Sequence, residues 1–256
     1  MTNGFKAALQ AGVPQIGCWL GMADAYVAEI AGEAGFDWLV IDGEHAPNDL
    51  RSILAQLQGL ARSTAHPVVR VPVGADWMLK QVLDIGAQTV LVPMVESAGQ
   101  AAALVRAVRY PPAGVRGVGA ALARASRFSG VSDYVARADD GVCLLVQVES
   151  RAGIGALAEI VALEGVDGVF IGPADLAADM GFGARSDAPE VRAVIAGAIA
   201  QITGAGKAAG ILSTDPAYAR ECLAMGATFV AVGVDVLVYS GAMKALAVSF
   251  RTPDGA

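Results

Sequence analysis

Gly165-Val166-Asp167-Gly168-Val169-Phe170-Ile171-Gly172-Pro173-Ala174-Asp175 is the stretch whose reading decides the fold. Gly165 caps a helical pattern, a short turn follows, and residues 168–171 form an apolar run without polar alternation. A strand of that kind is buried on both faces, as in a parallel sheet. Gly35-Phe36-Asp37, Gly86-Ala87-Gln88 and Gly226-Ala227-Thr228 lead into apolar runs in the same way. Their spacing is too uneven for a solenoid and suits successive βα units.

Working outward, eight strands are predicted, at residues 15–20, 38–42, 68–71, 89–93, 143–149, 168–171, 208–212 and 229–233. Helical rhythm fills the intervals: Ala101, Leu104, Val105 and Val108 keep it, as do Val194, Ile195, Ala198 and Ile202. Alternating strands and helices make a parallel α/β sheet. Eight units favour a closed (β/α)8 TIM barrel over an open doubly wound sheet, and 256 residues match the usual barrel length of about 250. The stretch at about 111–141, which opens Pro111-Pro112 and carries Arg116, Arg124, Arg127 and Arg137, shows no clear strand. It reads as an insertion within a single barrel domain spanning 1–256.

The hydrophobic fraction is 55% and the mean hydropathy +0.52, yet no apolar run approaches the roughly 18 residues of a membrane span. Buried parallel strands account for the excess. A net charge of −7 disfavours nucleic acid and anionic membrane surfaces as partners. Cys18, Cys143 and Cys222 are odd in number and scattered, which argues against a disulfide framework. The first residues lack a charged-then-apolar signal pattern, so a cytoplasmic location is expected.

In a barrel, strand C-terminal ends carry the active site. Glu149 and Asp175 follow two such ends, and the two-residue period turns Gln147 and Glu149 to the same side. Paired carboxylates there suggest a hard divalent ion, Mg²⁺ or Mn²⁺ with Co²⁺ as a further candidate. Zinc is a less natural guess with only His45 and His66 in the chain. His45 lies just past a strand with Asp42 on the same rim, where a carboxylate would orient the ring and strengthen it as a general base. A loop histidine with a structural hydrogen bond is the alternative. His66 stands where its strand begins, on the opposite face, and receives no role.

Arg70 ends an apolar strand; its fork suits an enolate or carboxylate, and an internal ion pair to Asp42 or Glu44 is the competing reading. After Gly172, the N–H groups of Ala174 and Asp175 start a helical turn able to receive an anion. Trp19, Leu212 and the insertion are candidates to line a distal pocket, with Arg116 or Arg127 for a distal carboxylate; ordinary packing is the alternative for each. Lys6, Lys80, Lys207 and Lys244 all avoid the rim ends of strands, which disfavours Schiff-base chemistry. No dinucleotide fingerprint or P-loop is present.

Taken together, Val40-Ile41-Asp42-Gly43-Glu44-His45, Val69-Arg70-Val71-Pro72, Pro111-Pro112 through Arg116-Gly117, Gln147-Val148-Glu149 and Ile171-Gly172-Pro173-Ala174-Asp175-Leu176 resemble the metal-dependent pyruvate aldolases of the 4-hydroxy-2-oxoheptanedioate and 2-dehydro-3-deoxyglucarate aldolase type, over nearly the whole chain. The resemblance implies reversible aldol cleavage of 4-hydroxy-2-keto acids to pyruvate and an aldehyde through a metal-bound pyruvate enolate. It implies a homohexamer whose C-terminal helix packs on a neighbouring subunit. Glu149 and Asp175 would hold the metal, Gln147 and Ala174 would contact the keto acid, His45 would be the base, and Arg70 would stabilise the keto oxygen. It also nominates Asp84 as the carboxylate that strengthens His45; its expected place late in a helix suggests action from a neighbouring subunit. Oxaloacetate decarboxylation at the same site and non-catalytic keto-acid binding are the rival readings.

Overall fold

The computed structural model describes residues 2–251. Strands β1 (Gln15–Leu20), β2 (Trp38–Asp42), β3 (His66–Arg70), β4 (Thr89–Val92), β5 (Cys143–Val148), β6 (Gly168–Ile171), β7 (Ala208–Leu212) and β8 (Phe229–Val234) close in chain order into a barrel. Every neighbouring pair is parallel, and β8 returns to β1 with a register shift between Gly17 and Trp19. The (β/α)8 expectation is therefore met.

Five strand ends differ from the sequence reading. β3 starts at His66, because it pairs with β2 along the full length from Trp38, and it stops at Arg70. β4 stops before Pro93, which has no N–H to give to a ladder. β5 stops at Val148, leaving Glu149 just beyond the ladder, and β8 runs on to Val234.

Two apolar layers form because side chains alternate along each strand. Leu39, Ile41, Val69, Leu144, Val146, Val169 and Ile171 face the helices. Trp19, Trp38, Val40, Val68, Leu91, Leu145, Phe170 and Phe229 fill the barrel interior. Small residues make room for the large rings: a Cβ at Gly17 would strike Trp38, and one at Gly210 would strike Phe229. The helix Gly4–Gln10 plugs the lower end through Phe5 and Leu9.

The insertion folds into short turns, Ala120–Leu122 and Arg124–Ser126, and the helix Tyr134–Gly141. It connects the helix Ala98–Ala107 to β5, so it belongs to the end of the barrel where strands begin. Arg124 donates to the carbonyl of Ile85 there (3.1 Å). A cleft of about 640 Å³ at this lower end includes Arg127 beside strand-entry residues such as Gln15 and His66. Last in the described chain is the helix Asp235–Ser249, which buries none of its residues although Leu237, Val238, Tyr239 and Leu246 are large and apolar. No helix is long and apolar enough to cross a membrane, among the described residues.

Candidate active site

Continuing the inward column of each strand by one step leads from apolar interior to charged mouth. On β2 the column runs Trp38, Val40, Asp42; on β3 it runs Val68, Arg70. Register sets Asp42 opposite Arg70. The guanidinium grips Asp42 with two bonds, Nε to Oδ1 (2.9 Å) and Nη2 to Oδ2 (2.7 Å). Its Nη1 meets Glu44 Oε2 at 2.7 Å, and Trp19 lies beneath, 5.1 Å from ring centre to guanidinium carbon. Arg70 is only 7% exposed, so it is held on three sides. A guanidinium has two N–H groups on each terminal nitrogen; one on Nη1 and one on Nη2 are left for a ligand. The internal ion pair thus exists, to both Asp42 and Glu44, and it aims the fork instead of exhausting it.

Asp42 does not orient the His45 ring. Burial pushes its carboxyl up, but the Arg70 fork and the N–H groups of Glu44 and His45 outweigh this and hold it below the usual carboxylate range. The N–H of Glu44 donates to Asp42 Oδ1 (2.9 Å), and that of His45 does so at 3.4 Å. This turn points the His45 ring outward, with 69% of its side chain exposed and Nε2 3.9 Å from Glu44 Oε2. The physical reason for the correction is competition: a guanidinium in register offers Asp42 two charge-assisted bonds at once. Glu44, named from the sequence as a possible ion-pair partner of Arg70, is the carboxylate that approaches both Arg70 and the histidine. Burial pushes Glu44 up, only partly offset by Arg70.

Across the mouth, Glu149 is 3% exposed. Met94 N–H donates to its Oε1 (2.8 Å), and the Gln147 amide donates to Oε2 in a very short contact. A Cβ at Gly172 would strike this carboxylate, so the backbone there approaches closely because it carries no side chain. Met94 adopts a left-handed backbone (φ 55°), which aims its N–H. No sequence signal marks that contribution, since it is made by backbone alone. Asp175 sits exposed in the first turn of the helix Pro173–Asp179, close enough that its charge adds to burial in raising Glu149, against the pull of the Gln147 and Met94 hydrogen bonds.

These residues fit a hard divalent ion. A buried carboxylate faces a second one without a salt bridge, and Gln147 Oε1 beside it is buried without a hydrogen-bond partner, among the described residues. No group of three His, Cys, Asp or Glu is placed to hold an ion among the described residues.

Other expected residues fall elsewhere. Asp84 ends the helix Asp76–Asp84 at the lower end of the barrel and is bound by Arg116 Nη2 (2.6 Å), so this protomer does not bring it to its own His45. Arg116 is buried against Tyr110 (4.4 Å), and Arg127 lines the lower cleft; neither reaches the mouth, because the insertion is a helix-to-strand connection. Trp19 forms the floor under Arg70 instead of a distal wall. Leu212 and Pro173 line a cleft beside the mouth. His66 bonds Thr89 Oγ1 (2.7 Å) at the lower end, and burial pushes its ring down to about 4.

A closed, parallel eight-stranded barrel with Arg70, Glu149 and Asp175 at its mouth defines an α/β barrel with a charged mouth. The model of the HpcH/HpaI aldolase/citrate lyase family matches residues 15–242. The chain is 63% identical over 249 residues to a hydroxypyruvate/pyruvate aldolase of Agrobacterium fabrum, covering 97% of this chain and 94% of that protein. It is 54% identical over 250 residues to a 4-hydroxy-2-oxo-heptane-1,7-dioate aldolase of Salmonella dublin, covering 98% and 95%. Its structure is similar, with a TM-score of 0.94 and 38% identity, to a HpcH/HpaI aldolase/citrate lyase family protein from Burkholderia cenocepacia, covering 98% of this chain and all of that one. The chain belongs to the HpcH/HpaI aldolase/citrate lyase family.

Proposed function

We propose that this protein is a carbon–carbon lyase that cleaves 4-hydroxy-2-keto acids reversibly to pyruvate and an aldehyde. The observation that carries this reading is the Arg70 fork, held by Asp42 and Glu44 with N–H groups to spare, across the barrel mouth from Glu149 and Asp175. Glu149 and Asp175 would hold Mg²⁺, Mn²⁺ or Co²⁺, and such an ion when bound polarises a ketone as a Lewis acid. Gln147 and the backbone at Gly172 and Ala174 orient the keto acid's carboxylate end. The spare Arg70 N–H groups meet the keto oxygen, where negative charge grows as the enolate forms; one preorganised donor of this kind is worth about 10²–10³-fold. In the addition direction His45, exposed at the rim, removes a proton from the pyruvate methyl group, directly or through water, and the resulting carbon attacks the aldehyde.

The bare apolar helix Asp235–Ser249 supports packing of this element on a neighbouring subunit in a homo-oligomer, a homohexamer by family resemblance. In such an assembly Asp84, presented by the buried Arg116, serves a neighbour's His45 where that lower face meets the neighbour's rim. The 111–141 insertion is then part of the same barrel domain, acting at subunit contacts and not at its own mouth.

The test is aldol addition by the purified protein, with pyruvate, a panel of aldehydes and each of the three ions after chelation. Aldol product and pyruvate methyl-proton exchange that vanish with chelator and return with the ion are expected. Ion-dependent pyruvate binding without proton exchange would overturn catalysis, and turnover of oxaloacetate alone would replace aldol cleavage by decarboxylation.

A further inference from the structure

Met94 gives Glu149 its backbone N–H (2.8 Å) from a left-handed conformation, φ 55°. A residue other than glycine seldom adopts that region, and it stays there only where its surroundings hold it. The hold is on the peptide plane that joins Met94 to Val95. A trans peptide points its C=O and N–H in opposite directions, and here both ends are tied. Val95 N–H donates to the Gln147 carbonyl (2.9 Å), and Val95 itself is fully buried. The Met94 carbonyl accepts from Gln100 Nε2 (3.1 Å). Gln100 Oε1 in turn accepts from Glu96 N–H (2.9 Å), and Glu96 Oε1 accepts from the hydroxyl of Ser150 (2.7 Å), the residue after Glu149. The loop between β4 and the helix Ala98–Ala107 is thus latched to the strand end that carries Glu149.

Helix capping accounts for only part of what Gln100 does. It lies in the first turn of the helix Ala98–Ala107, where Ser97 Oγ accepts its N–H (3.2 Å). A glutamine there commonly reaches back to an N–H at the helix start, as this one does to Glu96. The bond to the Met94 carbonyl serves no helix end; it sets the ψ angle of Met94. Released, Met94 would relax to an ordinary conformation and swing its N–H away from Glu149. We propose that Gln100 is a positioning residue for the metal centre: it keeps Met94 left-handed, and so keeps the Met94 N–H on Glu149 and that carboxylate aimed at the ion. The inference rests on the reading of Glu149 as an ion ligand and adds the residue that sets its geometry.

Mn²⁺ calorimetry at neutral pH on the purified full chain, stripped of metal beforehand, tests it. The proteins compared are wild type, Glu149→Gln, Gln100→Leu, Met94→Gly and the Gln100→Leu/Met94→Gly double variant. Gln100 is exposed and leucine is a good helix former, so Gln100→Leu should fold and melt close to wild type without the ion. Its Mn²⁺ affinity should fall about tenfold, the lower end of what loss of a group supporting a metal ligand costs. Glycine takes the left-handed conformation unaided, so in the Met94→Gly background the same change should cost about twofold or less. A residue that merely capped its helix would shift melting equally in both backgrounds and leave Mn²⁺ affinity alone. Unchanged affinity in Gln100→Leu, or an equal tenfold loss in both backgrounds, would overturn the proposal. Glu149→Gln should bind Mn²⁺ far more weakly than wild type; undiminished binding there sinks the ligand reading itself, whereas weakened binding there with an intact Gln100→Leu sinks only the latch.

Discussion

Arg70→Lys keeps the charge of the barrel mouth and removes its geometry. In the wild type, Arg70 makes two bonds to Asp42, at 2.9 and 2.7 Å, and one contact to Glu44, at 2.7 Å. An ammonium is a point charge on a flexible stem and cannot span both carboxylates and a substrate oxygen together. Losing one or two charge-assisted bonds at a buried site costs on the order of 1.5–3 kcal/mol each. At roughly 2–4 °C per kcal/mol for a chain of this size, the melting temperature should fall by several degrees while the barrel still folds. The catalytic loss is larger. Removing one preorganised donor to a developing oxyanion costs about 10²–10³-fold, or roughly 2.7–4 kcal/mol of transition-state stabilisation. Because that donor acts chiefly as charge develops, kcat should fall with little change in KM. Cleavage of a 4-hydroxy-2-keto acid, coupled to enzymatic reduction of the pyruvate released, measures both constants; a parallel melt separates folding from chemistry. Turnover within a few-fold of wild type in a folded Arg70→Lys protein would refute the fork's role.

Three other perturbations probe separate parts of the reading. Burial raises Glu149, the Gln147 and Met94 bonds pull it back, and Asp175 raises it again, leaving it above the ordinary 4.5. Calorimetric Mn²⁺ affinity should therefore start falling at a pH above 4.5, approaching tenfold per unit below the folded pKa; constant affinity down to 4.5 contradicts the assigned ligand. His66 is held neutral by burial down to about 4 against an ordinary 6.5. Between those values the unfolded chain takes up a proton that the folded one refuses, so stability is full above 6.5 and drops by roughly 3 kcal/mol as pH falls to 4; His66→Asn should flatten that slope in denaturant titrations, and an unchanged slope would assign it to other groups. Finally, Leu246→Asp on the exposed C-terminal helix should shift mass by light scattering toward smaller species, whereas an unaltered assembly would place the subunit contact elsewhere.

Much of this was legible in the sequence. Short apolar runs after glycine caps, such as Gly165 before β6, locate the strands because both faces are buried, and their number implies closure. Parity along β5 puts Gln147 and Glu149 on one side, and in the structure the Gln147 amide donates to the Glu149 carboxylate. What the sequence leaves open is which pairing wins. Asp42 is three residues from His45 in the chain, and an ion pair from Arg70 to Asp42 or Glu44 is the competing reading; the register of β2 on β3 makes that pair the observed one, with both carboxylates. The insertion's place follows from chain order: a segment between a helix and the next strand lies where strands begin, so its arginines sit away from their own barrel's mouth.

The same parity explains why the Asp42–Arg70 pair serves the fold as well as the chemistry. The interior below it is dry and aromatic, with Trp19, Trp38, Phe170 and Phe229 packed at ring separations of 5.3–6.3 Å. A one-residue slip of β2 against β3 would turn every side chain of the slipped strand to the other face, sending Ile41 to the mouth and Asp42 toward the helices without its guanidinium. An unpaired carboxylate buried there costs several kcal/mol, whereas exchanging Val40 for Ile41 inside the barrel is nearly neutral on apolar area alone. Apolar packing by itself thus distinguishes the registers weakly, and the ion pair distinguishes them strongly. Because the same register is what leaves Arg70 with N–H groups directed at the mouth, catalytic geometry and strand alignment are fixed by one contact: a variant that loses the pair should lose turnover and register together, while an exposed rim residue such as His45 can be replaced at the cost of turnover alone.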